Sequence, residues 1–344
     1  MSVATDGAPS MVGSQHGFIA HLKEVVLSAL AVRCVIYQHH LVGKHLSDRL
    51  SCSLQFVIST VNKIKSKSLN EKLFSQLCEA SDEHFNRLLL HTEVRWLSKG
   101  TCLSRFHSLF DTVLEFSGDE NATPRDNLKK FKSDIAYLTE LYPKFHEMNL
   151  QFQGDSLSFI KTKAIVFAFV SNLVMCKRNL RRGEFRQFPL LAALKKNAEV
   201  AENVILVYCH HLEMLRADFV KRFSDILSMK LPHWVEDPFG NVEEAETELK
   251  EELIELQNNE ELKPKFTSRY HQFRQLAQLY RRLCAVVVKL LIAFPLSYLA
   301  ERGFSAFTDL LSKKRNRPSI VRRGDLRIML TRINPDIRKL VSLQ

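Results

Sequence analysis

Phe294-Pro-Leu-Ser-Tyr298-Leu-Ala-Glu301-Arg302-Gly-Phe304-Ser305-Ala-Phe307, with Lys313-Lys314-Arg315-Asn-Arg317 soon after, is the stretch on which the reading of this chain turns. One carboxylate stands among apolar residues, and a cluster of bases follows. On a helix, Glu301, Phe304 and Ser305 share a face, because residues three and four apart are neighbours. Phe304 and Phe307 then pack inward while Glu301 points to a cleft. The periodicity alone also fits an amphipathic helix with a solvated charge.

The run Tyr298-Leu-Ala-Glu301-Arg302-Gly-Phe304-Ser305 resembles the C-terminal signature of hAT-superfamily DNA transposases. The likeness extends to the domesticated vertebrate proteins of the Charlie/Buster type, which usually carry a BED zinc finger. In that family the glutamate is the third carboxylate of an Asp-Asp-Glu metal-binding triad on an RNase H-like core, so the resemblance gives Glu301 that role. Two further blocks carry it. Thr5-Asp6-Gly7-Ala8-Pro9-Ser10-Met11 is similar to the segment holding the second triad aspartate, which assigns that role to Asp6; on its residues alone, Asp6 reads as a turn or helix cap. His91-Thr92-Glu93-Val94-Arg95-Trp96-Leu97-Ser98 resembles the Arg-Trp block, where the tryptophan lies near the processed DNA end. Trp96 also suits a core anchor, and an Arg-Trp pair suits nucleic acid by charge and stacking.

The resemblance implies a first aspartate on a strand upstream of Asp6, and only five residues precede Asp6. The expectation is therefore a chain truncated at its amino end, with the opening strands and any zinc finger missing. Two of three carboxylates cannot support two-metal chemistry, so neither catalysis nor a bound metal is expected; Mg or Mn would be needed only by a complete triad. A residual nuclease in which Glu93 replaces the lost aspartate is the remote alternative, since triad members need placement to within about 0.5 Å.

Composition agrees with a globular protein. Of 344 residues, 45% are hydrophobic and 25% charged, ordinary values for a folded domain. Gly 11 and Pro 10 are few for this length, which favours long helices. Seven cysteines are scattered without a Cys-x-x-Cys, pointing to a reducing compartment. Cys284 to Ala300 is interrupted by Lys289 and Pro295 and is too short for a comfortable membrane span, and no targeting segment opens the chain, so no membrane partner is expected.

The net charge of +11 is concentrated. Residues 266–344 hold 16 Lys and Arg against 4 Asp and Glu, while the preceding 265 hold 33 against 34. Such asymmetry suits a polyanion-facing surface as well as a solubilising one. With the resemblance, it makes Arg95, Trp96, Lys313, Lys314, Arg315, Arg317, Arg322 and Arg323 the expected nucleic-acid contacts. Further on, Leu326, Met329, Leu330 and Ile333 form an apolar stripe in the region where hAT subunits associate. It fits self-association, and a monomer that buried the same stripe would read alike.

The rest reads mainly as helix. Helices are expected from about Phe18 to Leu30, through Leu41 to Leu90, and over 102–117, 124–148, 155–179, 188–228 and 243–262. Val32 to Tyr37 is strand-like. Phe106, Phe110, Phe131, Phe145, Phe152, Phe159, Phe167 and Phe169 read as core stripes. Lys177-Arg178-Asn-Leu-Arg181-Arg182 reads as a helix C-terminus, which favours cations. Cys34 with His39 and His40, and Cys209 with His210 and His211, lack the second ligand pair a zinc site needs. Between Glu236 and Glu261 stand eleven acids and one lysine, a solvated helix or a partner for the basic tail.

The expected architecture is mainly α: a remnant of an RNase H-like α/β core over 1–60, a helical insertion domain over 61–265, and a C-terminal helical region over 266–344. The expected function is that of an inactive, domesticated transposase-derived nuclear protein, acting by self-association and by binding DNA or nuclear proteins. A scaffold that never touches DNA is the alternative.

Overall fold

The fold is described from a computed structural model, over residues 2–5, 8–13, 16–26, 30–89, 98–117, 122–153, 157–228, 230, 232–243, 245–261 and 279–292. In chain order the first elements are β1 (Ser2–Thr5), α1 (Pro9–Val12), α2 (Phe18–Val25), β2 (Leu30–Arg33), α3 (Val35–Gly43), α4 (Asp48–Lys65), α5 (Ser68–Ala80), α6 (Ser98–Ser108) and α7 (Phe110–Phe116). Then come α8 (Ala122–Lys130), α9 (Lys132–Phe152), α10 (Phe159–Arg181), α11 (Pro189–Lys196), α12 (Glu202–Arg222), α13 (Ser224–Ser228), α14 (His233–Glu236), α15 (Thr247–Gln257) and α16 (Arg281–Ile292). The mainly helical expectation holds. The chain divides into two compact units, residues 36–152 with 164–227, and residues 1–35 with 153–163 and 228–344.

The first of these is a helical unit built around α9. Ser133 to Thr139 is buried without a break, and Leu141, Tyr142, Phe145, Met148 and Phe152 continue the buried run. The helix therefore passes through the middle of the unit with neighbours on several sides. α6 packs against it at Gly100, where an added Cβ would stand 3.4 Å from the Tyr142 Cβ, in van der Waals contact. α4 turns Leu50, Leu54, Val57, Val61 and Ile64 inward at spacings of three and four. Glu140 on α9 accepts the backbone N–H groups of Leu190 (2.7 Å) and Leu191 (3.3 Å), so a carboxylate from one helix caps the start of α11. The capped terminus is the end with free N–H groups and positive potential.

In the other unit, β1 and β2 pair in parallel with Ser2 opposite Leu30 and Thr5 opposite Arg33. The Cys34 N–H extends the ladder to the Thr5 carbonyl at 2.6 Å. Farther along, Trp234 and Val235 pack with Leu249, Leu253 and Leu256 of α15 and with Leu283 and Val287 of α16. Trp234 is thus the aromatic anchor of this small core. Glu252 accepts the N–H groups of Arg282 (3.1 Å) and Leu283 (2.9 Å), capping α16 from the neighbouring helix.

Three expectations are corrected. An RNase H-like α/β core is not supported: strands among the described residues amount to one pair of four-residue segments, short of the three or more a stable sheet needs. The strand-like run Val32 to Tyr37 divides, β2 ending at Arg33 and α3 beginning at Val35. Burial of Val35 and Val42 along one side of α3 overrides the β preference of Val35 and Ile36. The helical pattern expected from Leu41 to about Leu90 holds through the end of α3, α4 and α5 but stops at Ala80, and 81–89 is turns and irregular backbone. Asp82 at φ 50 marks the break after α5.

The phenylalanine stripe also needs one revision. Phe106, Phe110, Phe131, Phe145, Phe152, Phe159 and Phe169 are buried, but Phe167 is 65% exposed. α10 is long and apolar enough to cross a bilayer by length and composition; Val166, Phe169, Leu173, Cys176 and Leu180 form its buried face.

Candidate functional site

The residues to which the sequence assigned chemistry fall outside the described part of the structure. This holds for the carboxylates Asp6 and Glu301, for Arg95 and Trp96, for Lys313, Lys314, Arg315, Arg317, Arg322 and Arg323, and for Leu326, Met329, Leu330 and Ile333. Among the described residues no group of three or more His, Cys, Asp or Glu is placed to hold a metal ion. All seven cysteines are free. Burial pushes the Cys102 thiol up to about 11 and also raises Cys176, Cys209 and Cys284, so these thiols stay protonated at neutral pH.

What the described fold does assemble is a cationic groove between α10 and α12. Val174, Lys177, Arg178, Arg181, Arg182, Glu213 and Arg216 line a shallow space of about 510 Å³. The two helices run against each other there: the Phe169 and Phe219 rings are 4.9 Å apart, and Lys177 Nζ meets Glu213 at 3.0 Å. Glu213 also accepts Arg216 at 2.6 Å, and these two cations hold its carboxyl below the usual range, Arg216 contributing first. One carboxylate thus engages two of five bases. Arg178, Arg181 and Arg182 are exposed and have no ion pair among the described residues.

Local backbone chemistry sets this cluster in place. α10 ends in a Schellman turn, with the Glu184 N–H reaching the Asn179 carbonyl (2.9 Å) and the Gly183 N–H reaching Leu180 (3.0 Å). The turn needs the left-handed conformation that Gly183 adopts at φ 77. The three arginines therefore crowd the negative end of the helix dipole, where cations are favoured. The helix dipole alone accounts for these bases in the sequence; Glu213 and Arg216, three apart on a second helix, join the cluster only when α12 folds back.

A second polar set is buried and structural. Asp134 is fully buried, accepts Arg49 Nε at 2.9 Å and accepts the Tyr208 hydroxyl at 2.7 Å. Burial raises its carboxyl, while Tyr208 and Arg49 pull it back down. Tyr208 stacks on Tyr137, 4.3 Å between centroids and 7° between planes. The Tyr137 hydroxyl lies 2.9 Å from His211 Nδ1, and His211 Nε2 lies 3.1 Å from the His45 carbonyl. A carbonyl only accepts, so Nε2 carries the proton and Tyr137 donates to Nδ1. Burial lowers His211 to about 4 and His39 to about 3. His39 sits against Phe145, Phe152 and Phe219 at 5.4, 5.9 and 6.2 Å. It lies inside α3. Both histidines are neutral core residues.

Comparison with known proteins agrees with the helical architecture. Residues 33–181 match the model of the FAM200/GTF2IRD2 helical domain, a block that holds α3 through α10. A curated relative, the general transcription factor II-I repeat domain-containing protein 2 of Bos taurus, is 27% identical over 317 residues, covering 89% of this chain and 33% of the relative. The chain thus spans about a third of that protein's length. No solved structure matches. In its helical block this chain is similar to the FAM200/GTF2IRD2-like proteins.

Proposed function

We propose that this chain is a non-catalytic, hAT-transposase-derived association module that works in the nucleus, self-associating and binding DNA through its basic C-terminal segment. The observation that carries the reading is the similarity over 317 residues to a protein named for a general transcription factor II-I repeat domain. The +12 excess of residues 266–344 supports contact with a polyanion. The order of the three hAT-like blocks, ending on the Glu301 motif, supports the ancestry.

The test is fluorescence anisotropy of labelled duplex DNA at two salt concentrations, comparing the chain with a variant carrying Ala at Lys313, Lys314, Arg315 and Arg317. Binding that weakens steeply with salt and is lost in the variant is the expected result, because phosphate contacts release counterions. A flat salt response, or no change in the variant, refutes the DNA reading. A second reading, a protein-interaction scaffold, is favoured by one particular feature: the cationic groove lies beside exposed apolar side chains on the same helix.

A further inference from the structure

α10 presents two kinds of side chain on one exposed strip. Phe167, Val174, Arg178 and Arg181 follow one another at intervals of seven, four and three, which places them on one face. Phe167 is 65% exposed and Val174 is 46% exposed. The strip runs from Phe167 to Arg181, about 21 Å at the helical rise. On α12, Glu213, Arg216 and Val220 follow the same spacing, and Val220 is 40% exposed. The approach of Phe169 to Phe219 and of Lys177 to Glu213 fixes the direction. The apolar end of one helix strip therefore lies beside the apolar end of the other, and the cationic ends coincide.

On its opposite flank α10 opens a cavity with α9, about 250 Å³ in volume and floored by Leu141, Met148, Phe169 and Leu173. A large exposed phenylalanine on a helix whose other face is already packed gains nothing for the folded chain alone. Three guanidinium groups without ion partners among the described residues repel one another. Both features are satisfied together by one kind of occupant.

We infer that the α10–α12 face is a docking surface for an acidic amphipathic helix of a partner protein. Its apolar residues cover Phe167, Val174 and Val220, and its carboxylates meet Arg178, Arg181 and Arg182. Charge complementarity selects an acidic partner, and the apolar half of the strip selects a protein over a nucleic acid. A phosphate backbone pairs with the arginines but leaves Phe167 and Val174 in water. Among the described residues no aromatic side chain lines the cationic part of the groove, which offers no stacking platform of the kind single-stranded nucleic acid uses. An amphipathic helix laid on a mixed apolar and basic groove is a recurrent recognition mode, with anchors at i, i+3 or i+4, and i+7.

The experiment uses the full chain and a labelled helical peptide of about 18 residues, long enough for the strip at the helical rise. The peptide has leucines along one face and glutamates beside them, with a scrambled peptide and a DNA duplex as comparators. We expect the amphipathic peptide to bind, and Arg178→Glu with Arg181→Glu to weaken it by about tenfold or more. Phe167→Ser with Val174→Ser, which changes no charge, is expected to weaken it comparably while leaving circular dichroism and Tm unchanged. The variant with Ala at Lys313, Lys314, Arg315 and Arg317 should keep peptide affinity even where it loses DNA, so this proposal and the DNA reading fail separately. Three outcomes overturn the inference: no preference over the scrambled peptide, insensitivity to the serine pair, or competition by DNA that depends on Arg178 and Arg181.

Discussion

Acid should weaken the helical unit through two buried histidines, and His39→Leu isolates one of them. His39 is lowered from 6.5 to about 3 by burial first and by the charge of His40 second. His211 is lowered to about 4, again chiefly by burial. Below pH 6.5 the unfolded chain takes up a proton at each site and the folded chain does not. Stability is therefore fully present above the unfolded value and is lost as pH falls from about 6.5 toward 3 for His39, or toward 4 for His211. Between pH 7 and pH 5 each site costs about 2 kcal/mol, so the pair costs about 4 kcal/mol.

Asp134 acts in the opposite sense. Its carboxyl is raised by burial, so its contribution to stability falls as pH rises through the interval above the ordinary carboxylate value. This term is common to both proteins and cancels in the comparison, as do the smaller downward shifts of His40 and His107. Urea unfolding of wild type and His39→Leu at pH 7 and pH 5 reads the difference. The variant should lose about 2 kcal/mol less than wild type over that interval. Equal losses would refute the reasoning, as would an NMR titration in which the His39 ring protonates near pH 6.5.

Two other perturbations probe the same unit. Tyr208→Phe removes the hydroxyl that donates to the buried Asp134 carboxylate at 2.7 Å; a loss of about 1–3 kcal/mol in urea unfolding is expected, and an unchanged midpoint would show that Arg49 alone satisfies the carboxylate. Gly183→Ala places a Cβ at φ 77, where nothing stands within contact distance, so the cost is that of the backbone conformation. A fall of about 1–2 kcal/mol is expected, and thermal denaturation should show it as a lower Tm with the helical signal kept.

The amino-acid sequence by itself determined the helical class, because spacings of three and four persist through α4, α9 and α10 whatever surrounds them. It also determined the roles of most phenylalanines, since large apolar side chains at helical spacing have few alternatives to burial. Helix ends governed by glycine were equally plain: the φ of Gly183 follows from residues next to it. What depends on groups distant in the chain was not legible. Glu140 and Glu252 cap helices fifty and thirty residues away, and Asp134 finds Tyr208 seventy-four residues on. Neither Phe167 nor Arg178 differs in type from neighbours with other fates. The packing of α9 and α12 against one side of α10 decided that Phe169 is core and Phe167 is surface. The same packing turned a run of bases at a helix end into a groove, because charge density on a surface is set by which helices lie side by side.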